Sequence, residues 1–225
     1  MENLTLVIPA KFEASTLPTV LKEIEKLNLS CKKIIVVPKY DKETLKALEN
    51  LDCKILIQKG EGFGNALIQG LNSSTTEYSC IFNADGSFDP KELSTMQKKI
   101  NEDGFDLVFG SRYESDCSSE DDTWVTYIGN FIFSKIGNIF FNLNISDILY
   151  TYVAGKTSSV VQLNLQKKDF VFCVELPIKA KRQNLRITTS KSNERARIGG
   201  KKKVNAIKDG FLILIAMIKL FFIKN

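Results

Sequence analysis

The first half of the chain alternates short apolar runs with segments whose apolar residues recur at helical spacing. Strands are predicted at LTLVIPA, KKIIVVP, CKILIQ, YSCIFNAD and FDLVFGS, with amphipathic helices between them. Apolar, β-branched strands that alternate with helices are typical of a mostly parallel sheet covered on both faces. The pattern therefore predicts an α/β fold with a doubly wound sheet.

The second half of the chain is less regular. An acidic loop, SDCSSEDD, precedes the aromatic-rich helical pattern WVTYIGNFIFSKIGNIFFNL, and SDILYTYVAGKTSS is predicted as strand and turn. FVFCVELPIKAKRQN is predicted as a helix and LRITTSKS as a strand. The chain closes on GFLILIAMIKLFFI, which is apolar on nearly every helical face. We therefore expect a domain over residues 1–205 and a C-terminal helical extension over residues 206–225.

The composition limits the side chains available for catalysis and indicates the cellular compartment. The 225 residues suit one domain, and 44% hydrophobic with 25% charged residues is the balance of a globular chain. The absence of histidine excludes a histidine base or metal ligand. Five cysteines without a CxxC pair predict reduced thiols, and the first residues lack the regions of a signal peptide. Both features predict a cytoplasmic location.

Glycines and polar residues follow each predicted strand of the first half. Sheets of this kind bind ligands beyond the carboxyl ends of their strands. The pattern therefore predicts a single binding rim. It consists of residues 9–13, 38–41, 60–64, 83–87 and 110–113.

The segment CIFNADGSFDP leads from a predicted strand into a loop rich in oxygen-bearing side chains. Asp85 precedes a glycine and can point into the cleft, and Asn83 and Ser87 share its side if the strand geometry continues. Mg²⁺ and Mn²⁺ bind such oxygens. The same spacing also suits an Asx turn that caps the helix predicted near Pro90, so both interpretations stay open.

Glycines and cations supply the features of an anion site. Gly62 and Gly64 precede a helix, whose N-terminus favours anions. Arg112 ends a strand on the same rim and suits bidentate phosphate contact. A basic stretch near the C-terminus predicts a mobile loop that closes over a diphosphate, with a solvated hairpin as the alternative. Its cations are Arg195, Arg197, Lys201, Lys202 and Lys203.

Taken in order, these segments resemble glycosyltransferase family 2, whose members have the GT-A fold. LVIPAKFEASTLPTVL, GFGNALIQGL and FNADGSFDP are similar to the opening strand, the glycine-rich loop and the Asp-x-Asp loop of that family. FGSRY, ISDILYTYVAGKTS and ERARIGGKKKVNAIKDGFLIL are similar to its later segments. The likeness is greatest to soluble polyprenyl-phosphate sugar synthases such as dolichol-phosphate mannose synthase.

The resemblance implies transfer of a sugar from a nucleotide-sugar, with inversion at the anomeric carbon. Mg²⁺ or Mn²⁺ would be held by Asp85 with Asn83 and Ser87, while Arg112 and the loop cations would bind the diphosphate or the acceptor. Asp147 is the candidate base for a hydroxyl acceptor, with a helix or turn cap as the alternative. The nucleotide-sugar would contact Pro9, Ala10, Glu13, Asp41, Gly62, Gly64, Asn83, Ala84 and Asp85.

Two positions depart from the family pattern. VVPKYDKET places Pro38 and Lys39 where family members commonly carry an acidic pair that recognises the nucleotide, and Asp41 is the nearest substitute. Asn83 replaces the first aspartate of the metal motif. A neutral carboxamide attracts a cation less than a carboxylate does, so we expect weaker metal binding.

The acceptor is expected to be a polyprenyl phosphate or a saccharide hydroxyl. A lipid phosphate is already anionic and needs no base, whereas a hydroxyl does. The C-terminal apolar run is shorter than the roughly 20 residues that span a bilayer. It is expected to lie at the membrane interface, to pack in a homo-oligomer or to pack against the aromatic helix.

Together with the basic loop, the apolar run favours a lipid acceptor and a peripheral location on the inner face of the cell membrane. No nucleic-acid partner is expected.

Three alternatives stay open. They are a transferase of the same fold acting on a saccharide in surface polysaccharide synthesis, a sugar-nucleotidyltransferase, and a degenerate nucleotide-binding domain without turnover.

Overall fold

A computed structural model describes residues 3–200 and 204–223, and within them the chain forms seven strands, eight α-helices and one short 3-10 helix, Pro90–Glu92. Strands β1 to β7 are Leu4–Pro9, Cys31–Pro38, Lys54–Gln58, Tyr78–Ile81, Leu107–Ser111, Val153–Lys156 and Ile187–Lys191. Helices α1 to α8 are Leu17–Lys26, Lys42–Ala47, Phe63–Asn72, Leu93–Asn101, Trp124–Phe141, Thr157–Gln162, Phe172–Arg182 and Ala206–Phe222. The short helix α6 begins within the last three residues of the segment that the sequence predicted as strand and turn and continues beyond it.

The strands form one sheet in the order β3-β2-β1-β4-β6-β5-β7. Neighbours are parallel at β3-β2, β2-β1, β1-β4 and β5-β7, whereas β6 is antiparallel to both β4 and β5. The predicted α/β fold with a mostly parallel sheet is confirmed. The reversed direction of β6 was not predicted.

Helices cover both faces of this sheet, because side chains alternate between the faces along each strand. In β1, Leu6 and Ile8 belong to the core that α1, α2 and α4 cover. Val7 belongs to the opposite core, which α3 and α5 to α8 complete. The loops after β1 to β4 are therefore held at one edge of a sheet that is packed on both sides.

The C-terminal helix α8 packs against α5 and α7. Ile213, Ala216 and Met217 are buried in the core, and the Phe140 and Phe221 rings meet at 5.6 Å. Arg182 of α7 donates hydrogen bonds to carbonyl groups at the end of α8. Packing against the aromatic helix, one of the three expected arrangements, is thus observed. No helix within residues 3–200 and 204–223 is long and apolar enough to cross a membrane.

Candidate active site

A cavity of about 600 Å³ opens at the carboxyl ends of β1 to β4. Pro9, Ala10 and Glu13 line it after β1, and Asn83 and Ala84 line it after β4. These residues lie together because β1 and β4 are adjacent parallel strands. The cavity therefore occupies the rim that the sequence predicted.

Asp85 takes part in a tight turn and also faces the cavity. Its Oδ1 accepts hydrogen bonds from the Ser87 amide at 3.1 Å and the Ser87 hydroxyl at 2.8 Å, which is an Asx-type turn. Its side chain lines the cavity. A turn and a carboxylate at the cavity are therefore compatible, because the turn uses Oδ1 while Oδ2 lies 3.7 Å from Arg197. The predicted capping of the helix near Pro90 is made by Asp89 instead, which accepts from the Lys91 amide at 2.9 Å.

Ser87 and Asn83 support this turn. Ser87 is buried, its hydroxyl donates to Asp85, and the Asn83 amide donates to that hydroxyl at 3.1 Å. Ser87 is absent from the cavity lining, so its predicted role as a metal ligand is not supported. Asn83 does line the cavity.

The acidic side chains at the cavity suit a divalent ion that is bound jointly by the protein and a diphosphate. They suit less well an ion that is bound by protein side chains alone. Among the described residues no three acidic or cysteine side chains cluster as a metal site. The described lining nevertheless carries six carboxylates against three cations, and a diphosphate adds further negative charge. The carboxylates are Glu13, Glu61, Asp85, Asp121, Asp122 and Glu194, and the cations are Lys11, Arg112 and Arg197. A bound cation would reduce this repulsion, since Mg²⁺ typically uses one or two carboxylates plus substrate phosphates.

The glycines at the start of α3 pack closely against the backbone of residues 167–169. Gly62 has φ +102°, and a Cβ there would lie 2.0 Å from the Lys168 carbonyl oxygen. A Cβ at Gly64 would lie 2.3 Å from the Lys167 carbonyl oxygen. Gly62 still lines the cavity, but Gly64 is buried beneath the 167–169 backbone. The predicted nucleotide contact of Gly64 is therefore not supported.

Asp41 caps helix α2 instead of facing the cavity. Its Oδ1 accepts from the Thr44 amide at 3.2 Å and its Oδ2 from the Phe12 amide at 2.5 Å. The side chain is buried and lies outside the cavity lining. Asp41 therefore does not substitute for the missing acidic pair, because both of its oxygens hold backbone.

Arg112 lines the cavity, and three of its five side-chain N–H groups are bonded to carboxylates of the protein. Nε and Nη2 donate to Asp147 at 2.7 and 3.0 Å, and Nη1 donates to Glu194 at 2.9 Å. Burial alone would lower the pKa of Arg112, but the neighbouring Asp147 and Glu194 carboxylates act together against it, and that pKa lies well above its usual value. The diphosphate contact predicted for Arg112 therefore stays a prediction, and it would use the two N–H groups that these bonds leave.

Asp147 is fully buried beside that fork. It accepts hydrogen bonds from Arg112 and from the Asn130 amide, which lies at 2.6 Å. It is absent from the cavity lining. The geometry does not support Asp147 as a base, because a base must reach the proton that it removes.

The described part of the basic loop contains two arginines with different surroundings. Arg195 donates to Glu23 of α1 at 2.6 and 3.1 Å and lies outside the cavity lining, so its predicted diphosphate contact is not supported. Arg197 lines the cavity and donates to Asp121 at 3.0 and 2.7 Å, a contact that raises the pKa of Arg197. Lys201, Lys202 and Lys203 lie outside the described residues.

Several lining residues were missed by sequence reasoning. Asp121 and Asp122 come from the acidic loop, Thr126 and Asn130 from α5, and Glu194 from the chain after β7. One signal of these contacts was present in the sequence, namely that the acidic loop at 115–122 and the basic stretch after residue 194 carry opposite charges. That signal does not say which residues pair.

The chain matches known proteins over most of its length. Residues 5–163 match the family model described as Glycosyl transferase family 2. Over 214 residues the chain is 24% identical to an uncharacterized glycosyltransferase of Mycobacterium tuberculosis, with 95% of each chain covered. An uncharacterized glycosyltransferase of Mycobacterium bovis matches with the same identity and coverage.

The fold is similar to that of glucosyl-3-phosphoglycerate synthase from Mycobacterium tuberculosis. Its complex with Mn²⁺, uridine diphosphate and phosphoglyceric acid aligns with TM-score 0.76 and 13% identity, over 99% of this chain and 80% of that one. Its complex with Mg²⁺ and uridine diphosphate aligns with TM-score 0.72 and 12% identity, over 99% and 80%. At these identities the likeness shows the fold, which is GT-A.

The family match extends over more than half of the chain and includes β1, the Asp85 turn and β6. The cavity at the strand ends and the GT-A architecture agree with it. The chain therefore belongs to glycosyltransferase family 2 and is a glycosyltransferase.

Proposed function

We propose that this glycosyltransferase moves a sugar from a nucleotide-sugar to a polyprenyl-phosphate acceptor, with inversion, at the cytoplasmic face of the cell membrane. The observation that carries the proposal is the double role of α5. Thr126 and Asn130 line the cavity, while Trp124, Ile128 and Phe131 on the same helix are exposed to solvent.

The exposed apolar surface continues from α5 onto α8. Trp124, Ile207 and Phe222 are 81%, 84% and 77% exposed. The two helices meet through the half-exposed rings of Phe140 and Phe221. Exposed apolar surface of this kind is typical of a binding face, and aromatic residues suit the membrane interface. We call the exposed apolar side chains of α5 and α8 the apolar face. A lipid phosphate could enter the cavity while its chain lies along this face.

The chemistry of a phosphate acceptor also agrees with the cavity. A phosphate is anionic at neutral pH and needs no base, which matters because Asp147 cannot reach an acceptor hydroxyl from its buried position. Arg112 and Asp147 would act as positioning residues that hold the end of β5 against α5.

On the donor side, Pro9, Ala10, Asn83 and Ala84 would bind the nucleotide-sugar, and Oδ2 of Asp85 would hold Mg²⁺ or Mn²⁺. When bound, such an ion neutralises negative charge on the leaving diphosphate. Ser87 would keep the Asp85 carboxylate oriented through the turn.

A second candidate acceptor is a small water-soluble molecule, either a saccharide or a phosphorylated acid. It is favoured by one finding: the structurally similar synthase was solved with phosphoglyceric acid. Such an acceptor would not use the apolar face.

A transfer assay separates these candidates. UDP- and GDP-sugars with Mn²⁺ would be tested against a short-chain polyprenyl phosphate, a soluble saccharide and phosphoglycerate. We expect product on the lipid phosphate, and loss of that product in Asp85→Asn. Product only on a soluble acceptor would refute the lipid proposal, and no sugar transfer from any donor would refute the catalytic one.

A further inference from the structure

Residues 194–200 lie directly above the Asp85 turn. The amides of Arg195 and Ile198 donate to the carbonyl oxygens of Ser87 and Asp85 at 2.9 and 2.8 Å. Ile198 also packs on the glycine between those two residues, where a Cβ would lie 2.5 Å from the Ile198 side chain. The segment is therefore bonded to the loop that carries the candidate metal ligand.

The other edge of this segment is bonded to the acidic loop, residues 115–122. The Glu120 amide donates to the Glu194 carbonyl at 2.9 Å, and the Glu194 amide donates to the Ser118 carbonyl at 3.0 Å. Ser119 also donates to the Glu194 carboxylate. We call residues 194–200 and 115–122 together the strap. It passes over the cavity wall at Asp85.

Arg197 is the strap residue whose positive charge lies next to Asp85. Its Nε and Nη2 hold Asp121, and its Nη1 lies 3.7 Å from Oδ2 of Asp85. Oδ1 of Asp85 is already bound in the turn. The guanidinium therefore faces the one carboxylate oxygen of Asp85 that a divalent ion would use.

We propose that, without metal, the Arg197 guanidinium occupies the position beside Oδ2 of Asp85. The divalent ion that binds with the nucleotide-sugar would displace the guanidinium from that position. The inference rests on the metal role of Asp85 in the proposed function. Without metal, Arg197 neutralises Asp85 and Asp121 together. When a metal ion binds to Oδ2, two cations at one oxygen repel each other, and the guanidinium moves away from Asp85. Metal binding at Asp85 is thereby coupled to release of one side chain of the strap.

Mn²⁺ binding to the full chain tests this exchange without any turnover. Free Mn²⁺ would be measured by electron paramagnetic resonance in the absence of nucleotide. Arg197→Gln should bind Mn²⁺ about tenfold more tightly than the wild type, because a competing charge near the carboxylate is gone. Arg197→Lys keeps that charge and should bind Mn²⁺ as the wild type does. Asp85→Asn should lose this binding.

The matched control is Lys191→Gln, which removes the same charge from an exposed pair with Asp116, a strap residue whose described contacts do not include Asp85. Its Mn²⁺ affinity should equal that of the wild type. If Arg197→Gln binds Mn²⁺ no better than the wild type, or if Lys191→Gln gives the same increase, the exchange is refuted.

A second measurement uses the unmodified protein, in case Arg197→Gln does not fold. Trypsin should cut after Arg197 several-fold faster with Mn²⁺ and UDP than with UDP alone, with cleavage after Lys191 as internal reference. Equal rates at Arg197 would refute the exchange. The proposed function fails on a different result, namely the absence of sugar transfer by wild-type protein whose Mn²⁺ titrations show the expected pattern.

Discussion

The cavity has two sides that are built in different ways. The strand-end side consists of the loops after β1 to β4, and it presents backbone, small side chains and Asp85. The ion-paired side consists of the end of β5, the start of α5 and the strap. On that side Arg112 joins Asp147, 35 positions away in sequence, and Glu194, 82 positions away.

The difference shows what each side depends on. The strand-end side is held by the sheet, so a changed side chain there should alter binding more than stability. The ion-paired side is held by charges that neutralise one another in partly buried surroundings, so removal of one partner leaves the other uncompensated. The predictions below test this contrast, beginning with the largest effect.

Arg112→Ala should lower the free energy of unfolding by about 3–5 kcal/mol, because Asp147 is left buried and unpaired. Urea denaturation of purified protein would measure the loss. Lys191→Ala, which breaks an exposed ion pair, should cost less than about 1 kcal/mol. If both variants have the same stability, the ion-paired side is not held by its charges.

Asp85→Asn should reduce sugar transfer about 100-fold, in the range seen when one group that stabilises developing charge is removed. The amide oxygen still accepts the turn hydrogen bonds, so the free energy of unfolding should change by less than about 1 kcal/mol. Initial rates and urea curves on the same preparation would be compared. A large loss of stability with normal turnover would reverse the contrast between the two sides.

The paired change Phe131→Ser and Phe222→Ser should weaken binding to anionic phospholipid vesicles by about tenfold or more, because each exposed ring loses apolar area that membrane contact would bury. Cosedimentation would measure the bound fraction. Val161→Ser, an exposed apolar residue on α6, is the control and should bind as the wild type does. Absence of vesicle binding by the wild type would refute the membrane location.

Asn83→Asp should tighten Mn²⁺ binding by about two- to fivefold, the smallest effect. A carboxylate attracts Mn²⁺ more strongly than a carboxamide, but the change also removes the hydrogen bond that Asn83 donates to Ser87. Isothermal titration with Mn²⁺ and UDP would measure the affinity. Unchanged or weaker affinity would show that position 83 serves the turn and not the metal.

Much of the fold could be predicted, because the spacing of apolar residues and the residue types within a segment indicate its local structure. The strands of the first half and the helices between them follow from the apolar pattern, and their order implies one binding rim. The antiparallel β6 and the short α6 could not be predicted. Both depend on how the second half of the chain returns to the sheet.

The site was predicted less well than the fold. Asp41 and Gly64 stand at positions that suit a ligand, yet a helix cap and a close backbone approach use them. Arg112 ends a strand on the rim as expected, but three of its N–H groups are bonded to residues far along the chain. In each case the residue type was compatible with two roles, and spacing alone did not separate them.

By itself, the sequence determined the α/β layers, the strand-end rim with Asp85 on it, the absence of histidine chemistry and the resemblance to glycosyltransferase family 2. Only the tertiary structure decided which charges neutralise each other and which oxygen of Asp85 is left outside the turn. The reason is physical: apolar periodicity records which face of an element is buried, whereas ion pairing depends on distances between segments that sequence separation does not set.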